Sequence, residues 1–208
     1  MSLCAAELRG AVLYGLLHSL VMPEDHSGHF HAVRFYRDDD SLCRIVGEFI
    51  GAGLEAGEPA IIIATPDHTR RIEGCLRERG LDIDDLKALG DFVTLDAREV
   101  LATFMVNDEP DRAAFNRHVS AALRHLARGR ENTPVRAYGE MVDLLWKDGL
   151  EQGAIRLETR WNELANTHDF KLLCGYSMGN FYKGAALEQI HAEHSHLVED
   201  GGGYSTIH

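Results

Sequence analysis

The amino-acid sequence predicts an α/β fold: a mostly parallel, doubly wound sheet with helices on both faces. Three observations carry that prediction. Five short runs, 29–36, 60–65, 92–95, 135–138 and 171–176, have the continuous hydrophobicity of strands buried on both sides. The stretches between them show helical periodicity. These stretches are also too long for hairpins, so the strands must be joined by right-handed crossovers into a parallel sheet.

Before the first strand, residues 10–22 form the most apolar stretch near the N-terminus, with Glu7 and Arg9 upstream. The stretch is too short to span a bilayer and lacks the basic region and cleavage site of a signal peptide. Leu13, Leu16, Leu17, Leu20 and Val21 share one helical face, which predicts a helix docked on the domain or on a second copy, hence a homodimer. Residues 23–28 read as a linker. The expected organisation is an N-terminal helix and linker over 1–28, one domain over 29–198 and a flexible tail over 199–208.

After the first strand, Leu42, Ile45, Val46, Phe49, Ile50, Gly53 and Leu54 fall on one helical face, with Ser41 placed to cap it. Thr65 and Pro66 form an N-cap and N1 pair that opens a helix over 66–79. Asp96 and Glu99 resemble a capping box before a helix running from Arg98 toward Phe104. A further helix over 111–128 carries Phe115, Val119, Ala122, Leu123 and Leu126, and two more surround Trp146 and Trp161.

Composition narrows the function. The 208 residues hold 21 basic and 33 acidic side chains, a net charge of -12, so a nucleic-acid backbone is not an expected partner. With 45% hydrophobic and 26% charged residues, the chain is an ordinary globular domain. Cys4, Cys43, Cys75 and Cys174 occur singly, without a CxxC pair, which suits a reducing cytoplasm.

In a doubly wound sheet, ligands bind beyond the carboxyl ends of the strands, here at turns 36–41, 65–68, 96–99, 138–141 and 176–180. No GxxxxGK[ST] loop is present, which argues against conventional ATP hydrolysis. Gly51, Gly53 and Gly57 miss the dinucleotide fingerprint by one residue and precede a strand instead of following one. Gly175, Ser177 and Gly179 spell GxSxG after an apolar run, the context of a nucleophile elbow, with Glu188, Glu193 and three histidines downstream. Few residues remain for the strands a hydrolase needs, so a turn that uses glycine for its backbone is the competing reading.

His191, His194 and His196, with Glu193 and Glu199 beside them, have a spacing that could bind zinc. No cysteine is adjacent in sequence, and a solvated helix end is the plainer reading. Glu140, at a strand's carboxyl end, can accept hydrogen bonds from a ligand or pair internally with Arg136. Glu158 and Trp161, three apart, could line the same crevice, although core packing suits Trp161 better.

Five blocks together resemble a known family: HAVRFY (31–36), GLEAGEPAIIIATPDH (53–68), VRAYGEMVDLLW (135–146), LETRWNELA (157–165) and LLCGY (172–176). In order and spacing they are similar to the MEDS domain, the methanogen and methylotroph sensory domain. The resemblance implies a non-catalytic sensory module of prokaryotic signal transduction for small hydrocarbon derivatives. It also implies a RecA/KaiC-like fold without the phosphate-binding loop, and no cofactor. The family pattern carries over to His31, Tyr36, Thr65, His68, Arg136, Tyr138, Glu140, Glu158, Trp161, Cys174 and Tyr176, which are the candidate ligand-binding residues.

The chain departs from the pattern at Gly175, Ser177 and Gly179, and no output domain accompanies the blocks. A signal is therefore expected to leave through a separate histidine kinase or transcription regulator. The alternatives are a serine hydrolase at Ser177 and a degenerate nucleotide-binding scaffold.

Overall fold

The structure, a computed structural model, describes residues 29–180, 185–199 and 203–207. The apolar stripe near Leu16 and the dimer expected from it lie outside the described residues. In chain order the elements are β1 (Phe30–Tyr36), α1 (Asp39–Glu55), β2 (Ala60–Ala64), α2 (Pro66–Glu78), α3 (Ile83–Leu89), β3 (Phe92–Asp96) and α4 (Ala97–Ala102). A small hairpin follows, β4 (Met105–Val106) and β5 (Glu109–Pro110), then α5 (Arg112–Leu126), β6 (Val135–Gly139), α6 (Met141–Lys147), α7 (Glu151–Ala165) and β7 (Phe170–Ser177). A 3-10 turn (Met178–Asn180), α8 (Ala185–Glu193), β8 (His196–Val198) and β9 (Tyr204–Thr206) complete the order.

Seven strands form one sheet in the order β3-β2-β6-β7-β1-β8-β9. Every pairing is parallel except β8 with β9. This is the α/β fold expected, consistent with a doubly wound RecA-like arrangement. All five strands predicted from sequence are present. Side chains alternate along each strand, so each contributes to two cores. Phe30, Ala32 and Tyr36 of β1 join α1, α2 and α3 on one face, and Val33 joins α4, α5, α6, α7 and α8 on the other.

The Asp38 side chain accepts the Ser41 N–H at 2.7 Å and caps α1, so Ser41 lies in the first turn and is not the cap. The glycines of α1 have a packing reason. A methyl at Gly47 would sit 2.8 Å from Cys75 Cβ, and at Gly51 2.6 Å from Arg79, so α1 and α2 approach at backbone distance. Gly53 similarly makes room for Arg136. Helix α3 and the β4–β5 hairpin had no counterpart in the sequence reading. Tyr204–Thr206, within the stretch expected as a flexible tail, form β9.

Candidate functional site

At the carboxyl ends of the strands, two buried carboxylates gather side chains from separate elements. Glu140 directly follows β6, at the N-cap position of α6, and is 2% exposed. Its Oε1 accepts the Thr65 backbone N–H at 2.8 Å, and its Oε2 lies 2.5 Å from His68 Nδ1. The other nitrogen of His68 is 3.4 Å from Asp39 Oδ1, so this imidazole joins α1, α2 and β6. The hydrogen bond to Glu140 raises the pKa of His68 above 6.5, against an opposing effect of burial.

Asp143, in the first turn of α6, answers three groups. Its Oδ2 accepts Tyr36 Oη–H at 2.8 Å and lies 2.7 Å from Lys147 Nζ, and its Oδ1 accepts the Ser177 N–H at 2.8 Å. Burial, then the neighbouring Asp143, pushes the Tyr36 phenol far above its ordinary range, so Tyr36 is a fixed hydrogen-bond donor. The Tyr36 and His68 rings meet edge to face at 6.4 Å, which joins the two carboxylate networks. Asp143, Lys147 and Asp39 were missed by sequence reasoning. The signal for Asp143 was an acid inside the apolar run MVDLLW.

A second polar cluster lies on one face of the sheet beneath α7 and α8. Glu158 of α7 is fully buried and accepts Tyr176 Oη–H at 2.8 Å. Around it stand His31 Nε2 at 3.3 Å, Cys174 Sγ at 3.4 Å and His194 Nε2 at 3.4 Å. His31 and Cys174 are themselves 3.4 Å apart. The His31 and His194 rings lie at a 42° tilt with centroids 4.1 Å apart. Burial depresses the His31 imidazole and raises the Cys174 thiol. Burial also opposes charge on Glu158.

The structure therefore divides the candidate residues. Tyr36, Thr65, His68 and Glu140 come together at the carboxyl edge. His31, Glu158, Cys174 and Tyr176 come together under α7. Arg136 belongs to neither group: it sits near the amino end of β6, paired with Glu58 and stacked on Phe49 at 4.9 Å. Its expected internal pair with Glu140 does not form, because the two residues lie at opposite ends of the strand. Trp161 is core, edge to face with Phe115 at 5.3 Å. The Tyr138 hydroxyl is buried against Gly175 with no hydrogen-bond partner among the described residues. A surface cleft of about 380 Å³ opens at the amino ends of β6 and β7, near Val135 and Asp169, lined by Arg124, Arg130, Asn132 and His168.

The motifs resolve as follows. Ser177 ends β7, and among the described residues no histidine hydrogen-bonds its hydroxyl. Of the three tail histidines, His194 and His196 are buried and so are not at a solvated helix end. His194 alone joins Glu158, while His191 packs on Phe35 and His196 on Phe30. Where a phosphate-binding loop would follow β1, Asp38, Asp39 and Asp40 crowd the N-terminus of α1, an arrangement that opposes an anion.

These features define a doubly wound α/β domain that lacks a phosphate-binding loop and buries polar networks both at its carboxyl edge and under one helical layer. The chain belongs to the MEDS family, described as the methanogen/methylotroph, DcmR sensory domain, whose family model matches residues 30–195. It is thus a member of a sensory-domain family. A search of curated proteins returned no match to the chain. No helix of the described residues is long and apolar enough to cross a membrane.

Proposed function

We propose that the chain is the ligand-sensing domain of a cytoplasmic prokaryotic signalling system. A small, partly apolar molecule, such as a hydrocarbon derivative, binds at the strand carboxyl ends, and a separate histidine kinase or transcription regulator reads the resulting movement. The observation that supports this reading is the convergence of β1, β2, α2, β6, α6 and β7 on Glu140 and Asp143. A ligand hydroxyl that displaces one donor from these carboxylates must shift the element that carries it. Glu140 and Asp143 are the acceptors, while Tyr36, His68 and the Thr65 amide are the donors in play. Arg136 and His31 lie elsewhere and have no part in this crevice. Binding makes and breaks no covalent bond.

The test is native mass spectrometry of the purified protein, followed by thermal shift with a panel of small alcohols, aldehydes and carboxylic acids. A retained organic mass, or a raised melting temperature that Glu140→Ala abolishes with circular dichroism unchanged, is the expected result. No retained mass and no shift across the panel would defeat the reading. The pattern Leu13, Leu16, Leu17 and Leu20 supports a homodimer. Light scattering of the chain carrying Leu16→Asp and Leu20→Asp should then give the monomer mass.

A further inference from the structure

We propose that His31, Glu158, Cys174 and His194 form a closed, four-coordinate site for a divalent metal ion of the zinc class. These four residues come from β1, α7, β7 and the segment after α8, and each offers a ligand atom within 4.8 Å of all the others.

The hydrogen bonds around the two histidines show which nitrogens are bare. The Asn162 side-chain amide donates to Glu193 O at 2.8 Å and to Glu193 Oε2 at 2.9 Å, both acceptors, so the orientation of that amide is settled. Its Oδ1 therefore faces His31 Nδ1 at 2.9 Å and accepts a proton from it. The Ile190 carbonyl does the same for His194 Nδ1 at 2.7 Å. With Nδ1 protonated on both rings, the neutral imidazoles direct Nε2 lone pairs at the Glu158 carboxylate. His194 Nε2 is buried and makes no hydrogen bond among the described residues. Among the described residues no lysine or arginine pairs with Glu158. The Cys174 thiol donates to Glu158 Oε2 at 3.4 Å, whereas two imidazole lone pairs facing a carboxylate repel it unless a cation lies between them.

The spacing agrees. Charge-assisted hydrogen bonds are typically about 2.7–2.9 Å long. The nitrogen–oxygen contact here is longer, 3.3 Å for His31 Nε2 to Glu158 Oε2, and Cys174 Sγ lies 3.4 Å from each of those two atoms. Bonds of about 2.0–2.3 Å to a tetrahedral ion place neighbouring ligand atoms about 3.3–3.8 Å apart. The outer contacts have the form such sites use: a carbonyl oxygen on each imidazole N–H, and Tyr176 Oη–H on the other oxygen of Glu158 at 2.8 Å.

Two nitrogens, one sulfur and one carboxylate oxygen suit zinc and disfavour calcium or magnesium, which prefer oxygen throughout. Four protein ligands leave no open position, so the ion would fasten and not catalyse. It would clip the chain after α8 onto β1, where the Ser195 N–H already donates to His31 O at 2.8 Å. On binding, the Cys174 thiol gives its proton to solvent as the metal–sulfur bond forms.

The test uses the full chain, purified under reducing conditions and stripped with a chelator. Titration with Co²⁺ should produce a thiolate-to-cobalt charge-transfer band that saturates at one ion per chain and is bleached by Zn²⁺. The band should vanish in Cys174→Ser and persist in Cys75→Ser. No stoichiometric band, or a band that survives in Cys174→Ser, overturns the proposal. Should Cys174→Ser fail to fold, zinc-edge X-ray absorption of the wild-type protein decides: one sulfur in a four-atom shell is expected, and a shell of nitrogen and oxygen alone overturns it.

Discussion

Glu140 and Glu158 are both buried carboxylates, yet their surroundings answer them with different chemistry. Glu140 at the carboxyl edge has a donor on each oxygen, the Thr65 N–H at 2.8 Å and the His68 imidazole at 2.5 Å. Glu158 of α7 accepts from Tyr176 at 2.8 Å and from the Cys174 thiol at 3.4 Å, and otherwise meets two imidazole nitrogens at 3.3–3.4 Å. The lesson is that burial of a charge does not by itself announce a site. What distinguishes the two is whether the facing atoms bring protons or lone pairs. The first arrangement is complete with protein atoms, and the second gains from an added cation.

The carboxyl-edge half of that comparison breaks most sharply at Asp143. Asp143→Ala leaves the Tyr36 hydroxyl, the Ser177 N–H and Lys147 without their shared acceptor. Urea unfolding should record a loss of about 3–5 kcal/mol. A loss near that of a surface pair would show that the network does not stabilise the fold. Next in size is Gly175→Ala, whose new methyl would lie 2.9 Å from the Tyr138 hydroxyl. The expected loss is about 1–3 kcal/mol, reduced when Tyr138→Phe is made in the same chain. Tyr138→Phe alone should raise stability by about 1 kcal/mol, because it removes a buried hydroxyl that has no partner among the described residues. An unchanged or lowered urea midpoint would mean that the hydroxyl is satisfied after all.

His68 sharpens the comparison through pH. It faces Glu140 after β6, Asp39 from α1 and the Tyr36 ring from β1. Its folded pKa lies above the unfolded value of 6.5, so the folded state holds the proton more tightly. The stabilisation is fully present below pH 6.5 and is lost as pH rises through the raised folded value. Urea midpoints measured across that window should fall, and Glu140→Gln should flatten the slope. The smallest effect belongs to Lys147→Met: its ion pair with Asp143 has a lysine side chain 41% exposed, and no more than about 1 kcal/mol is expected.

Much of the fold was legible because each strand is a short apolar block and each long helix repeats its apolar face. What escaped were elements too brief to show a period. The β4–β5 hairpin has strands of only two residues, and its one mark is Asn107–Asp108, both at positive φ. The site was legible where chemistry sits at a strand end, as with Glu140. The Glu158 cluster was not, because it depends on register. His31 pairs with Leu172 and Val33 with Cys174, and only that alignment of β1 with β7 brings an imidazole beside a thiol. The histidine-rich tail carried the missing signal, but its cysteine partner lies on another strand.

β9 has a consequence for how this sheet meets its neighbours. Parallel sheets end in rows of unused backbone donors and acceptors that invite other chains to add on. Here the edge beyond β8 is finished by a three-residue strand running the opposite way. A passing strand would find too few groups in line to zip against, so β9 acts as a guard against aggregation on that flank.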